Sequence, residues 1–289
     1  MAHHSGMTTV ERAADEARPR AVRVLQRPLR RRDGRAPLWI ELAIIAWLFW
    51  LYDVINNLAP TRQALARLDA VNLLAFERLL HIDVELTLDR WFGAHSVAGF
   101  IATYYYFFAH VLVTLTVLVC LWWACPALYR RMRTQLVIIN LIAFAVFWRY
   151  PLAPPRMFPG LGFGDVVALS HAVVSWHSGV LVQDADQYAA MPSLHIAWAL
   201  WCALAVWQLT KRRTLRVLAL AHPPLTALVV IATGNHYLLD VLAGAATMLT
   251  GVALQQGAVR GVGNWRRRRA ELPELREGAG APGLGSVQS

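Results

Sequence analysis

Residues 191–209 read MPSLHIAWALWCALAVWQL. After His195 the stretch carries no ionisable side chain, and it is close to the roughly 20 apolar residues that cross a bilayer as a helix. Pro192 suits the first turn of a helix, where its missing N–H costs nothing. The stretch therefore reads as a membrane helix whose polar groups, Ser193 and His195, gather at its opening end.

Five further apolar runs surround it: Leu38–Leu58, Val97–Trp123, Thr134–Tyr150, Leu215–Gly234 and Tyr237–Gln256. The segment Thr61–Ser96 differs. Its apolar residues Leu65, Leu68, Val71, Leu74 and Leu79 recur at helical spacing among charges, the pattern of an interfacial amphipathic helix. The expected fold is all-α: a polytopic membrane helix bundle with six transmembrane helices plus an extracytoplasmic amphipathic segment. Small residues such as Ala197, Ala199, Ala203, Gly244, Ala245 and Ala246 allow close helix packing.

Composition agrees. The 289 residues are 57% hydrophobic and 16% charged, against roughly 25% charged in soluble domains. The net charge of +10 comes from arginines in short clusters between apolar runs, which argues against a nucleic-acid surface. With the N-terminus inside, 22 basic residues fall on the cytoplasmic side and six outside. That split favours six spans with both termini cytoplasmic in the plasma membrane. Residues 1–37 hold nine arginines and no apolar run. They read as a disordered cytoplasmic tail, residues 38–257 as the membrane-embedded domain, and residues 258–289 as a second disordered tail. Cys120, Cys125 and Cys202 have no metal-ligand spacing and read as packing residues.

Three polar segments fall at the outer membrane face on this map. Arg149-Tyr-Pro-Leu-Ala-Pro-Pro-Arg156 is a proline-stiffened turn holding two guanidiniums, a fork for phosphate oxygens. Ser193 and His195 stand at a helix N-terminus, which favours anions. In Gly234-Asn235-His236-Tyr237-Leu-Leu-Asp240, His236 and Asp240 are four residues apart and share a helix face. Asp240 can hold one imidazole nitrogen and leave the other basic. An anion clamp, an oriented histidine and a second histidine suit phosphoryl transfer. His110 sits high in the second span and, with Tyr237 and Asn235, is a further candidate for substrate contact.

These segments, in this order from about Thr103 to Gly244, resemble the type 2 phosphatidic acid phosphatase superfamily. The nearer likeness is to its inositol-phosphotransferase branch, which includes fungal inositol phosphorylceramide synthase. The resemblance implies that His236 is the nucleophile forming a phosphohistidine and that Asp240 orients it. It implies that His195 protonates the leaving oxygen and then activates the acceptor, while Arg149, Arg156 and Ser193 hold the phosphate. It implies no cofactor and no metal, and a lipid phosphate ester as substrate among membrane lipids. Leu194 stands where the superfamily usually has Gly. Val229 and Val230 stand where it usually has Ser-Arg, and these departures also look like the phosphotransferase branch. A lipid or isoprenyl phosphate phosphatase is the alternative on the same scaffold. A transporter would place ionisable residues at mid-membrane. A zinc site at His195, His236 and Asp240 would be opposed by the neighbouring arginines.

Overall fold

The computed structural model describes residues 35–57, 62–166 and 188–278. Residues 1–34 and 167–187 lie outside them; the second stretch is most of the outer loop Met157–Ala190, whose apolar Val166, Leu169 and Val173 at near-helical spacing, with His171, His177, Asp184 and Asp186, predict a lid or a surface amphipathic helix. The described residues are helical, with one isolated bridge between Leu152 and Ala189 and no strand.

Among the described residues nine α-helices follow in order: α1 (Leu38–Asn57), α2 (Gln63–Leu79), α3 (Glu85–Ala94), α4 (Ser96–Tyr104), α5 (His110–Ala124), α6 (Pro126–Arg149), α7 (Leu194–Leu209), α8 (Arg213–Ala232) and α9 (Leu238–Gly278). A π-helical turn, Tyr105–Ala109, joins α4 to α5. Among the described residues five segments are long and apolar enough to cross a membrane: Leu38–Ile55, Ser96–Ala124, Pro126–Arg149, Arg213–Ala232 and Leu238–Trp265. The sixth expected span, α7, has only 16 residues. At 1.5 Å per residue it is about 24 Å long, short of the roughly 30 Å hydrocarbon core. Its helix begins after Ser193 rather than at Met191, because Met191–Ser193 is drawn out into a turn.

Two other boundaries move. The third span was expected at Thr134–Tyr150, with Arg130, Arg131 and Arg133 in a loop. The helix instead starts at Pro126 and carries those arginines within it. Proline is at home in a first helical turn and arginine propagates a helix well. Arg133 also has a buried partner: it and the Tyr129 hydroxyl each donate to Glu41 of α1 at 2.6 Å. The last helix runs past Gln256 to Gly278.

Helix α7 is central and packs against α5, α6, α8 and α9. Its Trp201 is fully buried and donates to the Met132 carbonyl of α6 at 3.0 Å. Ala197, Ala199 and Ala205 admit the neighbours on either side. Gly244 of α9 makes the tightest approach: a Cβ there would come within 2.4 Å of the Ser193 carbonyl oxygen. Helix α1 is peripheral, with Trp39, Phe49 and Trp50 at 61, 68 and 60% exposure, apolar surface suited to hydrocarbon rather than water.

Helices α2 and α3 carry the charge–apolar pattern of Thr61–Ser96. They are docked on the bundle, α2 against α9 and α3 against α8. The buried side of α2 comprises Ala66, Ala70, Leu73, Leu74 and Glu77. That spacing is one helix face, and it includes an acid.

Candidate active site

The end of α8 delivers the first part of the site. Gly234 has φ +64°. Its N–H donates to the Ile231 carbonyl, and the Asn235 N–H donates to the Val230 carbonyl. This pair of bonds is a Schellman motif, in which the left-handed residue is normally glycine. A Cβ at Gly234 would meet Asp89 Oδ1 at 3.1 Å and the Arg156 Cβ at 3.3 Å. The chain reverses here and presents Asn235 and His236 before α9 begins.

The proline-rich segment after α6 is stitched onto this turn. The Leu152 N–H donates to the Tyr188 carbonyl, Ala153 to Ala66 and Arg156 to Gly234, at 2.8, 3.1 and 2.9 Å. The fully buried Tyr237 adds its hydroxyl to the Ala153 carbonyl at 3.2 Å. The Arg156 guanidinium donates to the Asn235 side-chain oxygen. The Asn235 amide nitrogen in turn donates to Thr233, reaching Oγ1 at 2.8 Å and the carbonyl at 3.2 Å. Arg156 is thus fixed beside His236. Arg149 is not drawn in: it is exposed at the end of α6, and no hydrogen bond or ion pair among the described residues ties it to this cluster.

The two histidines meet. His236 Nε2 lies 3.4 Å from His195 Nδ1. On the other side of its ring, His236 Nδ1 is 3.4 Å from Asp240 Oδ2. That is an ion-pair distance and long for a hydrogen bond; such contacts commonly tighten when substrate binds. The same Asp240 oxygen accepts the Tyr237 N–H at 2.9 Å, an acid at the third helical position reaching back to the cap. His236 is 5% exposed and Asp240 is fully buried. Ser193 is also fully buried, and its hydroxyl has no partner among the described residues.

His195 is held by aromatic neighbours. Tyr106 stacks on it at 4.7 Å and His110 meets it edge-on at 4.2 Å. Both come from the π-helical region, and His110 Nδ1 bonds the Tyr106 carbonyl at 3.0 Å. The extra residue of a π-turn re-aims side chains, and such turns often occur at functional sites. His110, expected within reach, is therefore at the site. Tyr237 and Asn235 are at the site as braces; each spends its polar groups on the chain, which is not what substrate contact requires. His222, at the middle of α8, bonds the Tyr105 hydroxyl at 2.7 Å.

Three residues beyond the sequence motifs belong here. Glu85 accepts the Leu238 N–H and Glu77 the Leu239 N–H, each at 2.7 Å. Asp89 accepts the Gly164 N–H at 2.7 Å and places its other oxygen against Gly234. Burial pushes the carboxyl groups of all three up, Glu77 to about 8. The available signal was an acid on the apolar face of α2. No group of three or more His, Cys, Asp or Glu side chains among the described residues is arranged to hold a metal ion.

Residues 71–254 match the family model described as the PAP2 superfamily. A curated relative, the phosphoinositol dihydroceramide synthase of Bacteroides thetaiotaomicron, is 28% identical over 136 residues. That alignment covers 43% of this chain and 44% of the relative, so the chain spans less than half of that protein's length. No solved structure matches the chain. With the family match spanning well over half of the sequence and enclosing both histidines, Arg156 and Asp240, this multi-pass helical protein belongs to the PAP2 superfamily of membrane phosphatases and phosphotransferases.

Proposed function

We propose that the chain is an integral membrane lipid phosphotransferase working through a phosphohistidine, and that it moves a phosphoinositol-type headgroup between lipids. The observation that carries this reading is the line Asp240–His236–His195, with 3.4 Å at each step and Arg156 braced alongside. The relative's name supplies the phosphoinositol headgroup.

The chemistry runs in two steps. His236 Nε2 attacks phosphorus while the ester oxygen leaves and takes a proton from His195. A hydroxyl of the acceptor then gives its proton to His195 and attacks the phosphohistidine, and the P–N bond breaks to restore His236. Asp240 keeps the His236 Nδ1 proton in place and stabilises the charge on the ring. Arg156 and the Ser193 hydroxyl hold the non-bridging oxygens, and arginine in place of a metal supplies the charge compensation. The 3.4 Å gap between the two rings is too small for a phosphoryl group. One ring therefore turns when substrate enters.

The same reading places α7 as a sixth span, both termini in the cytoplasm and the site on the extracytoplasmic side of the plasma membrane. Its support is the 22-to-six division of basic residues. The segment Thr61–Ser96 then covers the outer end of the bundle.

The test uses purified full-length protein in EDTA with a panel of lipid phosphates and phosphodiesters, and with inositol, glycerol and ceramide-type alcohols as acceptors. Mass spectrometry of the lipid products is expected to find a new phosphodiester. In His236→Ala its formation should fall by about 10⁴-fold or more. Free phosphate in place of a new diester would make the protein a lipid phosphatase. An undiminished His236→Ala rate would remove the phosphohistidine.

A further inference from the structure

Helix α9 starts two residues after His236, so whatever holds its first turn also sets where that imidazole points. The first turn of a helix has backbone N–H groups with no partner inside the helix. Here three consecutive ones are taken by carboxyl groups of the chain itself: Tyr237 by Asp240, Leu238 by Glu85 and Leu239 by Glu77. Glu85 and Glu77 come from α3 and α2, more than 150 residues away in sequence. Both are fully buried. Each gives one oxygen to a backbone N–H, and neither Oε2 has a hydrogen-bond donor among the described residues. The two carboxyl groups are within hydrogen-bonding reach of each other.

Two buried carboxylates cannot face one another with both charged. One proton between them resolves the contact: a protonated carboxyl donates to its ionised neighbour. We propose that Glu77 and Glu85 are a positioning pair that shares one proton and, in that form, clamps the first turn of α9 so that His236 is held against His195. The pair touches no substrate. Its effect passes through the backbone of Leu238 and Leu239 to the adjacent histidine. A single negative charge on the pair, beside that of Asp240, complements the helix dipole. A second would repel both its partner and the phosphate nearby.

The groups that act on the pair are acidic. Asp240 faces Glu77 and Asp83 faces Glu85, while the Tyr237 hydroxyl lies beside Glu77, Glu85 and Asp240. Burial is the main cause that raises the Glu77 carboxyl from 4.5 to about 8. The sign of the pH effect follows. Below 4.5 folded and unfolded chains both hold the proton. Between 4.5 and about 8 only the folded chain holds it, so stability falls as pH rises through that window.

This inference deepens the assignment of His236 as nucleophile and rests on it for its effect on rate, and its test has readouts that need no activity. Glu77→Gln, Glu85→Gln, the double glutamine variant and Glu77→Ala are prepared as full-length protein in the same detergent. Either single glutamine keeps one donor facing one acceptor. The double variant sets amide donor against amide donor, because both side-chain oxygens are committed to backbone N–H groups. Each single glutamine should therefore stay within about threefold of the parent in rate. The double variant and Glu77→Ala should each lose about tenfold or more. Hydrogen exchange of the peptide spanning residues 236–241 should rise in the same two proteins and stay low in the singles. The melting midpoint of the parent should fall between pH 5 and 8, and that slope should flatten in Glu77→Gln. A double variant as protected and as active as the singles would overturn the shared proton. So would a Glu77→Gln protein whose melting midpoint keeps the parent's slope. If the parent shows no transfer or hydrolysis at all, the functional reading fails, while exchange and melting still decide whether the clamp exists.

Discussion

The two histidines stand at the starts of two helices, and those starts are built in opposite ways. At α9, beside His236, three backbone N–H groups are filled by Asp240, Glu85 and Glu77. At α7, beside His195, the cap residue Ser193 makes no side-chain capping bond, and its buried hydroxyl has no partner among the described residues. A capped start fixes the residue next to it. An uncapped start leaves donors for an incoming anion. The contrast fits a division of labour in which α9 aims a nucleophile and α7 receives the phosphate.

The largest effect should come from removing the charge behind His236, the proposed nucleophile. Asp240→Asn keeps an oxygen for the Tyr237 N–H but loses the ion pair with His236. We expect kcat to fall about 10³-fold or more with a modest change in melting temperature. An Asp240→Asn variant within about tenfold of the parent would mean that Asp240 is only a cap. The next effect tests whether the two helix starts must sit together. In Gly244→Ala the new methyl meets the Ser193 carbonyl oxygen, a backbone atom, at 2.4 Å. The two turns must separate, at a cost of about 1–3 kcal/mol in thermal unfolding, and the rate should drop with it. Unchanged melting would mean that α9 can slide without disturbing α7. The smallest effect is the sharpest for the contrast itself. Ser193→Ala removes a buried hydroxyl that bonds nothing among the described residues, so stability should hold or rise slightly. If that hydroxyl awaits phosphate, KM should rise about tenfold while kcat changes less. A fall in melting temperature without a change in KM would return Ser193 to a structural role.

Some of this was readable from the chain. The i, i+4 spacing put His236 and Asp240 on one face, and they are 3.4 Å apart. A glycine after an apolar run signals a helix stop, and Gly234 makes the Schellman turn that sets up His236. Other elements were harder to read. Hydropathy treated Arg130, Arg131 and Arg133 as a loop, because it registers charge and not the buried Glu41 that receives Arg133. It treated α7 as a full span because composition does not record where Met191–Ser193 leaves helical geometry. Arg149 and Arg156 looked equivalent in sequence, yet only Arg156 has Asn235 and Gly234 to bind it.

What the sequence determined by itself follows from local physics. Apolar length selects membrane helices, period 3.6 selects shared faces, and proline and glycine mark where helices begin and stop. From these come an all-helical membrane protein and the two histidine motifs. The tertiary structure decided which distant groups complete them. Tyr106 and His110 reach His195 through a π-turn, and Glu77 and Glu85 reach α9 from helices whose composition reads as surface. An acid becomes a buried clamp only when a helix start with unpaired N–H groups is placed against it, and that juxtaposition is a property of packing rather than of any short stretch of chain.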